Sequence, residues 1–329
     1  MLKYRPFEMH CHTRHSDGTF LVPQLIESVA AYGYAGLALT DHNAVTGLLE
    51  VTEELQRKNN CLVLPGIEWT TFYGHLLVIG CDRFVDWRFV TPDTIDEALQ
   101  EIRAAGGIAG VAHPCEVGSP LMCGCNWEFR VKRWDLMDYV EIWSGPDPHA
   151  SAKNGLAMPW YDALLNQGYH LAISAGRDWH GPDGQIPLLT ATYLGIDGDV
   201  TIENAKAAIR AGRTYVTTGP TVDVTLKQEN RIYSLGQTAH PGPASVSVRI
   251  GMEERSSVWA HNEITPQSIR LVHNGKILAE QPYNGKPVDF SVSLVPGWLR
   301  VEVYGTALDR PADSIALTSP IYSADLRDE

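Results

Sequence analysis

Short β-branched runs alternate with longer amphipathic stretches over the first two thirds of the chain, a pattern that predicts repeated strand and helix units around a parallel sheet or barrel. The strand candidates are Phe7 to His12, Gly36 to Thr40, Cys61 to Pro65, His75 to Gly80, Ile108 to Ala112, Tyr139 to Trp143 and Leu171 to Ser174. Between the fourth and fifth, Thr91 is placed to cap a helix with Pro92 at its first position; Ile95, Leu99 and Ile102 form one apolar stripe, and Gly106 ends it. Beyond AGRTYVTTGP, which ends at Pro220, the period shortens to two. Thr221 to Leu226, Ser245 to Ile250, Ser268 to Val272, Val288 to Leu294 and Trp298 to Tyr304 all alternate, and HNGK at His273 to Lys276 reads as a tight turn. A small β-sandwich is expected there, with a boundary near Gly219 dividing the chain into domains 1–219 and 220–329.

Composition narrows the classes. A chain of 329 residues with 44% hydrophobic and 20% charged residues can bury an ordinary globular core, which argues against disorder and fibrous folds. The formal net charge of -13 leaves no basic footprint, so nucleic-acid duplexes and acidic membranes are disfavoured as partners. No apolar stretch approaches the roughly 20 residues of a membrane span, and the opening MLKYRPFEMHCH lacks the apolar centre of a secretory signal. Cys11, Cys61, Cys81, Cys115, Cys123 and Cys125 form no disulfide framework, which suits a cytoplasmic location. The lone CxC at Cys123 and Cys125 reads as loop thiols rather than a soft-metal chelate.

Metal-competent side chains stand at the ends of successive strand candidates. The ends of parallel strands in a barrel face a common mouth, so residues distant in sequence converge there. The first strand presents His10 and His12 on one face, followed by Asp17 in HSDG. TDHN offers His42, PGIE offers Glu68, the opening GH of the fourth strand offers His75, AHP offers His113, and SAGRDWH offers Asp178 and His180. Six imidazoles and three carboxylates without thiolate suit Zn, Mn or Fe and do not choose among them. Nine ligands exceed the four to six of a single site, so two or three divalent ions are expected, with a carboxylate such as Glu68 bridging a pair.

Through HCHTRHSDG, LTDHN, GIE, AHP and GRDWH the sequence resembles the PHP (polymerase and histidinol phosphatase) family of metallohydrolases over about residues 1–219. GIEWTTFYGHLLVIG, VEIWSG and AGRTYVTTGP are similar to its carbaryl-hydrolase-like subgroup, and ALTSPIYS extends that likeness toward the C-terminus. The resemblance implies an α/β fold, a distorted (β/α)7 barrel of the PHP type, carrying a trinuclear metal site. His10, His12, Glu68 and Asp178 would hold one ion; Glu68, His75 and His113 a second; Asp17, His42 and His180 a third. Two positions depart from the pattern: some members carry the fourth-strand histidine where this chain has Leu77, and Arg177 stands where serine is common.

The expected activity is metal-dependent hydrolysis of a phosphate ester of a small molecule, with a hydroxide bridging two ions as nucleophile. Arg14, Arg177 and His15 are catalytic helpers to consider, the arginines for phosphate and His15 for the leaving group; each reads equally as a surface charge or a support for the ligands. A carbamate or carboxylic ester hydrolase on the same ions is the alternative, with Trp69, Phe72, Trp143 and Trp179 as possible walls of an apolar mouth. A non-catalytic scaffold with a partner- or glycan-binding sandwich, and an amidohydrolase-type barrel, rank lower. Arg130, Lys132 and Arg133 read as a solvated loop face.

Overall fold

A computed structural model describes residues 2–118, 124–145, 147–182, 190–253, 264–308 and 310–324; Cys123 of the CxC pair lies outside them. The first half contains β1 (Leu2–Cys11), β2 (Gly36–Leu39), β3 (Leu62–Thr71), β4 (Gly74–Ile79), β5 (Ile108–Ala112), β6 (Tyr139–Ser144) and β7 (Ala172–Gly176), hydrogen-bonded in chain order into one curled sheet. β4 runs antiparallel to both its neighbours, whereas the other adjacent pairs are parallel. His75, at the start of β4, therefore lies at the same end of the sheet as the C-terminal ends of the parallel strands. The curl closes where the chain beyond β7 returns to β1: His12 N donates to Trp179 O at 2.9 Å and Trp179 N to His10 O at 3.1 Å. Farther down, β8 (Ala191–Asp197) lies antiparallel along Leu2 to Phe7 and is followed by β9 (Thr214–Thr217).

Several expected boundaries move; the first strand runs Leu2–Cys11 rather than Phe7 to His12, and the seventh Ala172–Gly176 rather than Leu171 to Ser174. The strand expected to stop at Pro65 continues to Thr71, because it pairs with β2 up to Pro65 and exchanges that partner for β4 from Gly66 onward. Five helices, α1 (Val22–Ala31), α2 (Glu53–Asn59), α3 (Ile95–Ala104), α4 (Ala152–Asn166) and α5 (Ile202–Arg210), accompany the sheet. α3 buries the expected stripe of Ile95, Leu99 and Ile102, but begins after Thr94 rather than Thr91. Thr91 and Pro92 sit in a preceding turn, in which Thr91 N donates to Thr94 Oγ1 at 2.9 Å and Thr94 N to Thr91 O at 3.1 Å.

Inside the curl the side chains form two layers. Phe7, Met9, Ala38, Leu64, Leu77 and Tyr139 belong to one fully buried apolar cluster. A bulge between Glu8 and Cys11 rephases β1, so Cys11 joins Leu37, Leu39 and Val63 in a different cluster that also holds α1. The polar layer lies beyond the apolar one, at the end where β1 and the chain after β7 meet.

The described residues of the second half form only strands: β10 (Thr221–Gln228), β11 (Arg231–Tyr233), β12 (Thr238–Ala239), β13 (Gly242–Gly251), β14 (Ile264–His273), β15 (Lys276–Pro282), β16 (Val288–Leu294), β17 (Gly297–Ala307), β18 (Arg310–Thr318) and β19 (Ile321–Ser323). β11-β10-β13-β16 form one sheet of a sandwich; Val222, Val224, Leu226, Val246, Val248 and Phe290 pack in one core with Ile269, Leu271, Val301, Val303 and Ile315 of the other. The expected HNGK turn joins β14 to β15, with Asn274 (φ 50°) and Gly275 (φ 78°) both left-handed as a two-residue hairpin loop requires. β18 pairs with β9, so the second sheet is continuous with the barrel sheet.

Candidate metal centre

The nine ligand candidates assemble around Glu68. Its side chain is fully buried near the end of β3, where the strand has left β2 for β4. Oε1 lies 2.8 Å from His75 Nδ1 and 3.2 Å from His113 Nε2. Oε2 lies 2.8 Å from His42 Nδ1, 3.1 Å from His10 Nε2 and 3.4 Å from His12 Nε2. Five imidazoles thus share one carboxylate. Leu77, where some members of the resembled family place the histidine, lies in the apolar layer below, and His75 is one rung nearer the mouth.

Five groupings emerge among the described residues; two hold His113, one with His10 and Glu141 and one with Glu116 and Asp178. His10, His12, Glu68 and Asp178 bring one atom each within 4.8 Å of the others, and Asp178 Oδ1 is 2.9 Å from His12 Nε2 and 3.4 Å from His10 Nε2. His12, Asp17, His42 and His180 form a second, with His180 Nε2 3.2 Å and His42 Nε2 3.6 Å from Asp17. His42, Glu68 and His75 form a third. His113 joins the cluster through Glu68 Oε1 and stacks on His10 at 5.6 Å. The first grouping is closed off from solvent at His10, His12 and Glu68, whereas the side chains of Asp17 and His180 are 52% and 35% exposed, so the centre opens on that side.

The donor chemistry fits divalent metal ions. His10 Nε2, His12 Nε2, Glu68 Oε2 and Asp178 Oδ1 are buried and approach one another at 2.9–3.4 Å, yet none has a partner in hydrogen-bonding geometry. Four lone-pair atoms facing one point is costly unless a cation occupies it. The set is hard and borderline nitrogen and oxygen, which does not single out one metal.

Electrostatics point the same way. Burial opposes charge on His10, yet Glu68, Glu141 and Asp178 outweigh it and hold the imidazole well above its usual value. Burial would raise Glu68 and Asp178, but the surrounding imidazoles, His10 foremost, hold both well below the ordinary carboxylate range. His12 is lowered, chiefly by burial, which leaves its ring neutral. His180 is pushed up to about 9 against the effect of burial, by its bond to Asp17 and the charge of Asp178. A field that favours positive imidazoles favours cations at the same points.

Backbone strain concentrates here as well. His113 (φ 24°) and Asp178 (φ 50°) take positive φ, as does Asn43 (φ 51°) beside His42. Non-glycine residues seldom do so, and the cost is tolerated where the structure fixes a functional side chain.

Residues 8–102 match the family model described as PHP domain, a span containing His10, His12, Asp17, His42, Glu68 and His75. A curated 3′,5′-nucleoside bisphosphate phosphatase of Chromobacterium violaceum is 34% identical over 79 residues, 23% of this chain. The chain therefore spans only about a quarter, 27%, of that relative's length. Among solved structures, a two-domain protein of Bacteroides vulgatus containing a predicted PHP-like metal-dependent phosphoesterase matches with TM-score 0.54 and 13% identity over 97% of this chain and 96% of that one, a likeness of fold. The lesion-specific endonuclease of Pyrococcus furiosus matches at TM-score 0.37 and 14% identity over 63% of this chain and 56% of that one, too weakly to carry an argument. None of these bears on the narrower carbaryl-hydrolase-like likeness.

Around the cluster the three expected helpers are dispersed. Arg14 is exposed and donates from Nε to Thr19 O at 3.1 Å. His15 is held between Thr46 Oγ1 at 2.9 Å and Glu50 Oε1 at 2.8 Å. Arg177 is buried, with its guanidinium 4.2 Å over the Trp179 ring and its backbone N–H bonded to Glu8 at 2.9 Å. A cavity of about 840 Å³ opens beside Asp17, His42 and His75, and none of Arg14, His15 and Arg177 lines it. Of the expected aromatic walls only Phe72 lines it; Trp69, Trp143 and Trp179 are buried, and Tyr73, Trp87 and Phe89 are the further aromatic walls. Arg130 and Arg133 are paired with Asp93 and Asp135, each at 2.7 Å.

Several supporting residues escaped the sequence reading. Glu141 on β6 meets His10 Nδ1 at 3.1 Å and accepts from His113 N at 3.0 Å, fixing two ligands at once. The signal was present: a carboxylate inside the otherwise apolar YVEIW. Asp41 accepts from Thr13 N, Thr13 Oγ1 and Ser16 Oγ at 2.7–2.8 Å and so pins the loop that carries Asp17. Glu116 lies 3.4 Å from His113 Nδ1 and pairs with Lys153 at 2.7 Å; that contact joins distant segments and left no pattern in the sequence.

Proposed function

We propose that this chain is a metal-dependent phosphoesterase acting on a small-molecule phosphate ester. The observation that carries the reading is the convergence of six imidazoles and three carboxylates, with buried lone pairs facing one another, at the open end of a PHP-type sheet. Both similar proteins named for phosphatase or phosphoesterase chemistry support the reaction class. In our assignment His10, His12, Glu68 and Asp178 hold one ion, Glu68, His75 and His113 a second, and Asp17, His42 and His180 a third. Bound there, divalent ions supply Lewis acidity, lowering the pKa of water and offsetting charge that builds on phosphoryl oxygens. The chain's part is positional: Glu141 engages His10 Nδ1 and leaves Nε2 free, and Asp41 anchors the loop bearing Asp17. The thiol of Cys11 is engaged with Ala38 O at 3.1 Å, consistent with a reaction that uses no protein nucleophile.

The test is a panel of p-nitrophenyl phosphate, its bis-ester, a 5′-phosphorylated oligonucleotide and p-nitrophenyl acetate, each with Mn, Zn and Fe. Metal-dependent release from the phosphate esters is expected, and His113→Ala should lose metal and most of the turnover. Fast acetate hydrolysis without phosphatase activity would instead favour the carbamate or carboxylic ester reading, which the aromatic walls of the cavity also suit.

A further inference from the structure

We infer that the cavity beside the metal centre receives an uncharged, flat aromatic leaving group, and that the substrate carries no second phosphate there; this rests on the phosphoesterase reading. The cavity's inner end is polar, formed by Asp17, His42 and His75, and its outer part is walled by aromatic side chains. Phe72 and Phe89 are 72% and 82% exposed, an unusual position for two large apolar side chains facing one opening. The tip between β3 and β4 supplies Phe72 and Tyr73, and the segment before α3 supplies Trp87 and Phe89. One stretch ties both walls together: Glu128 N donates to Tyr73 O at 2.7 Å, and Arg130 N donates to Pro92 O at 3.1 Å. Tyr73 also packs edge-on against Phe129 at 5.7 Å, so the slot exists before a ligand enters.

Charge decides what can lie in it. Among the described lining residues Arg88 is the one lysine or arginine, and its Nε and Nη2 both bond Asp86, at 2.9 and 2.7 Å. Away from the metal ligands, a second phosphate in this space would meet aromatic and hydroxyl side chains and no lysine or arginine free of an acidic partner. An aromatic body would instead lie against ring faces, and a volume of about 840 Å³ accommodates a bicyclic group.

The test uses the metal-loaded protein and inhibition of p-nitrophenyl phosphate hydrolysis by methylphosphonate, naphthylmethylphosphonate and adenosine 3′,5′-bisphosphate. The naphthyl compound should bind at least about tenfold more tightly than the methyl one, and more tightly than the bisphosphate. A Phe72→Ala/Phe89→Ala variant should shrink the naphthyl-to-methyl ratio toward one. Equal inhibition by the two phosphonates, an unchanged ratio in the variant, or preference for the bisphosphate overturns the inference while leaving the phosphoesterase reading intact. If no phosphate ester is hydrolysed with any ion, that reading fails, and calorimetric titration with the two phosphonates decides the slot by the same ratio.

Discussion

Removing the carboxylate of Glu68 leaves five imidazoles without their shared partner, whereas changing Glu141 alters only how His10 and His113 are held. Two different outcomes follow. Glu68→Gln should abolish binding of at least one ion, read by elemental analysis. Glu141→Gln should keep the fold while weakening metal affinity by about 10–100-fold, as loss of an orienting partner does; unchanged affinity would remove Glu141 from the site. Far from the centre, burial pushes the Cys61 thiol up to about 12. An acid whose folded pKa is raised stabilises the fold below its unfolded value, near 9, and loses that contribution as pH rises toward 12. Urea unfolding should therefore show stability falling above pH 9, and Cys61→Ala should flatten the fall by on the order of 4 kcal/mol by pH 12. At this scale the ligands were legible because histidines recurred at strand ends; Glu116 and Lys153 were not, since a contact across separate segments has no period.

β1 and β7 approach so closely that one side chain between them must be absent. A Cβ on Gly176 would lie 2.3 Å from His10 Cβ and 2.5 Å from Glu141 Oε1. Neither neighbour can withdraw without moving a ligand or its support, so Gly176→Ala should cost about 1–3 kcal/mol and lower bound metal together; thermal melting and metal analysis of the same sample check both. The antiparallel run of β4 has a related consequence, because it carries His75 to the ligand end from the start of a strand rather than its finish. Alternation alone placed the β4 strand correctly. Its direction, and the change of partner at Pro65, depended on pairing that a one-dimensional pattern does not encode.

Across the whole molecule, barrel and sandwich share structure as well as sequence. β9 pairs with β18, and Phe20, Val29 and Tyr193 belong to the same buried cluster as Val224, Val246, Val301 and Ile315. A fragment of residues 1–219 would expose the β9 edge and that apolar surface, so size-exclusion chromatography and thermal melting should find it aggregated or unfolded under conditions in which the full chain melts as one cooperative unit. The change of period at Pro220 announced the sandwich, but the buried surface joining the halves could be seen only once both were folded. No helix among the described residues is long and apolar enough to cross a membrane.

The most direct test of the account is elemental analysis of the full chain purified without added metal, coupled to turnover of p-nitrophenyl phosphate before and after chelation. Two or three divalent ions per chain, with activity lost on chelation and restored by Mn, Zn or Fe, is the predicted result. A chain that takes up none of these ions, or hydrolyses the ester equally well without them, would contradict it.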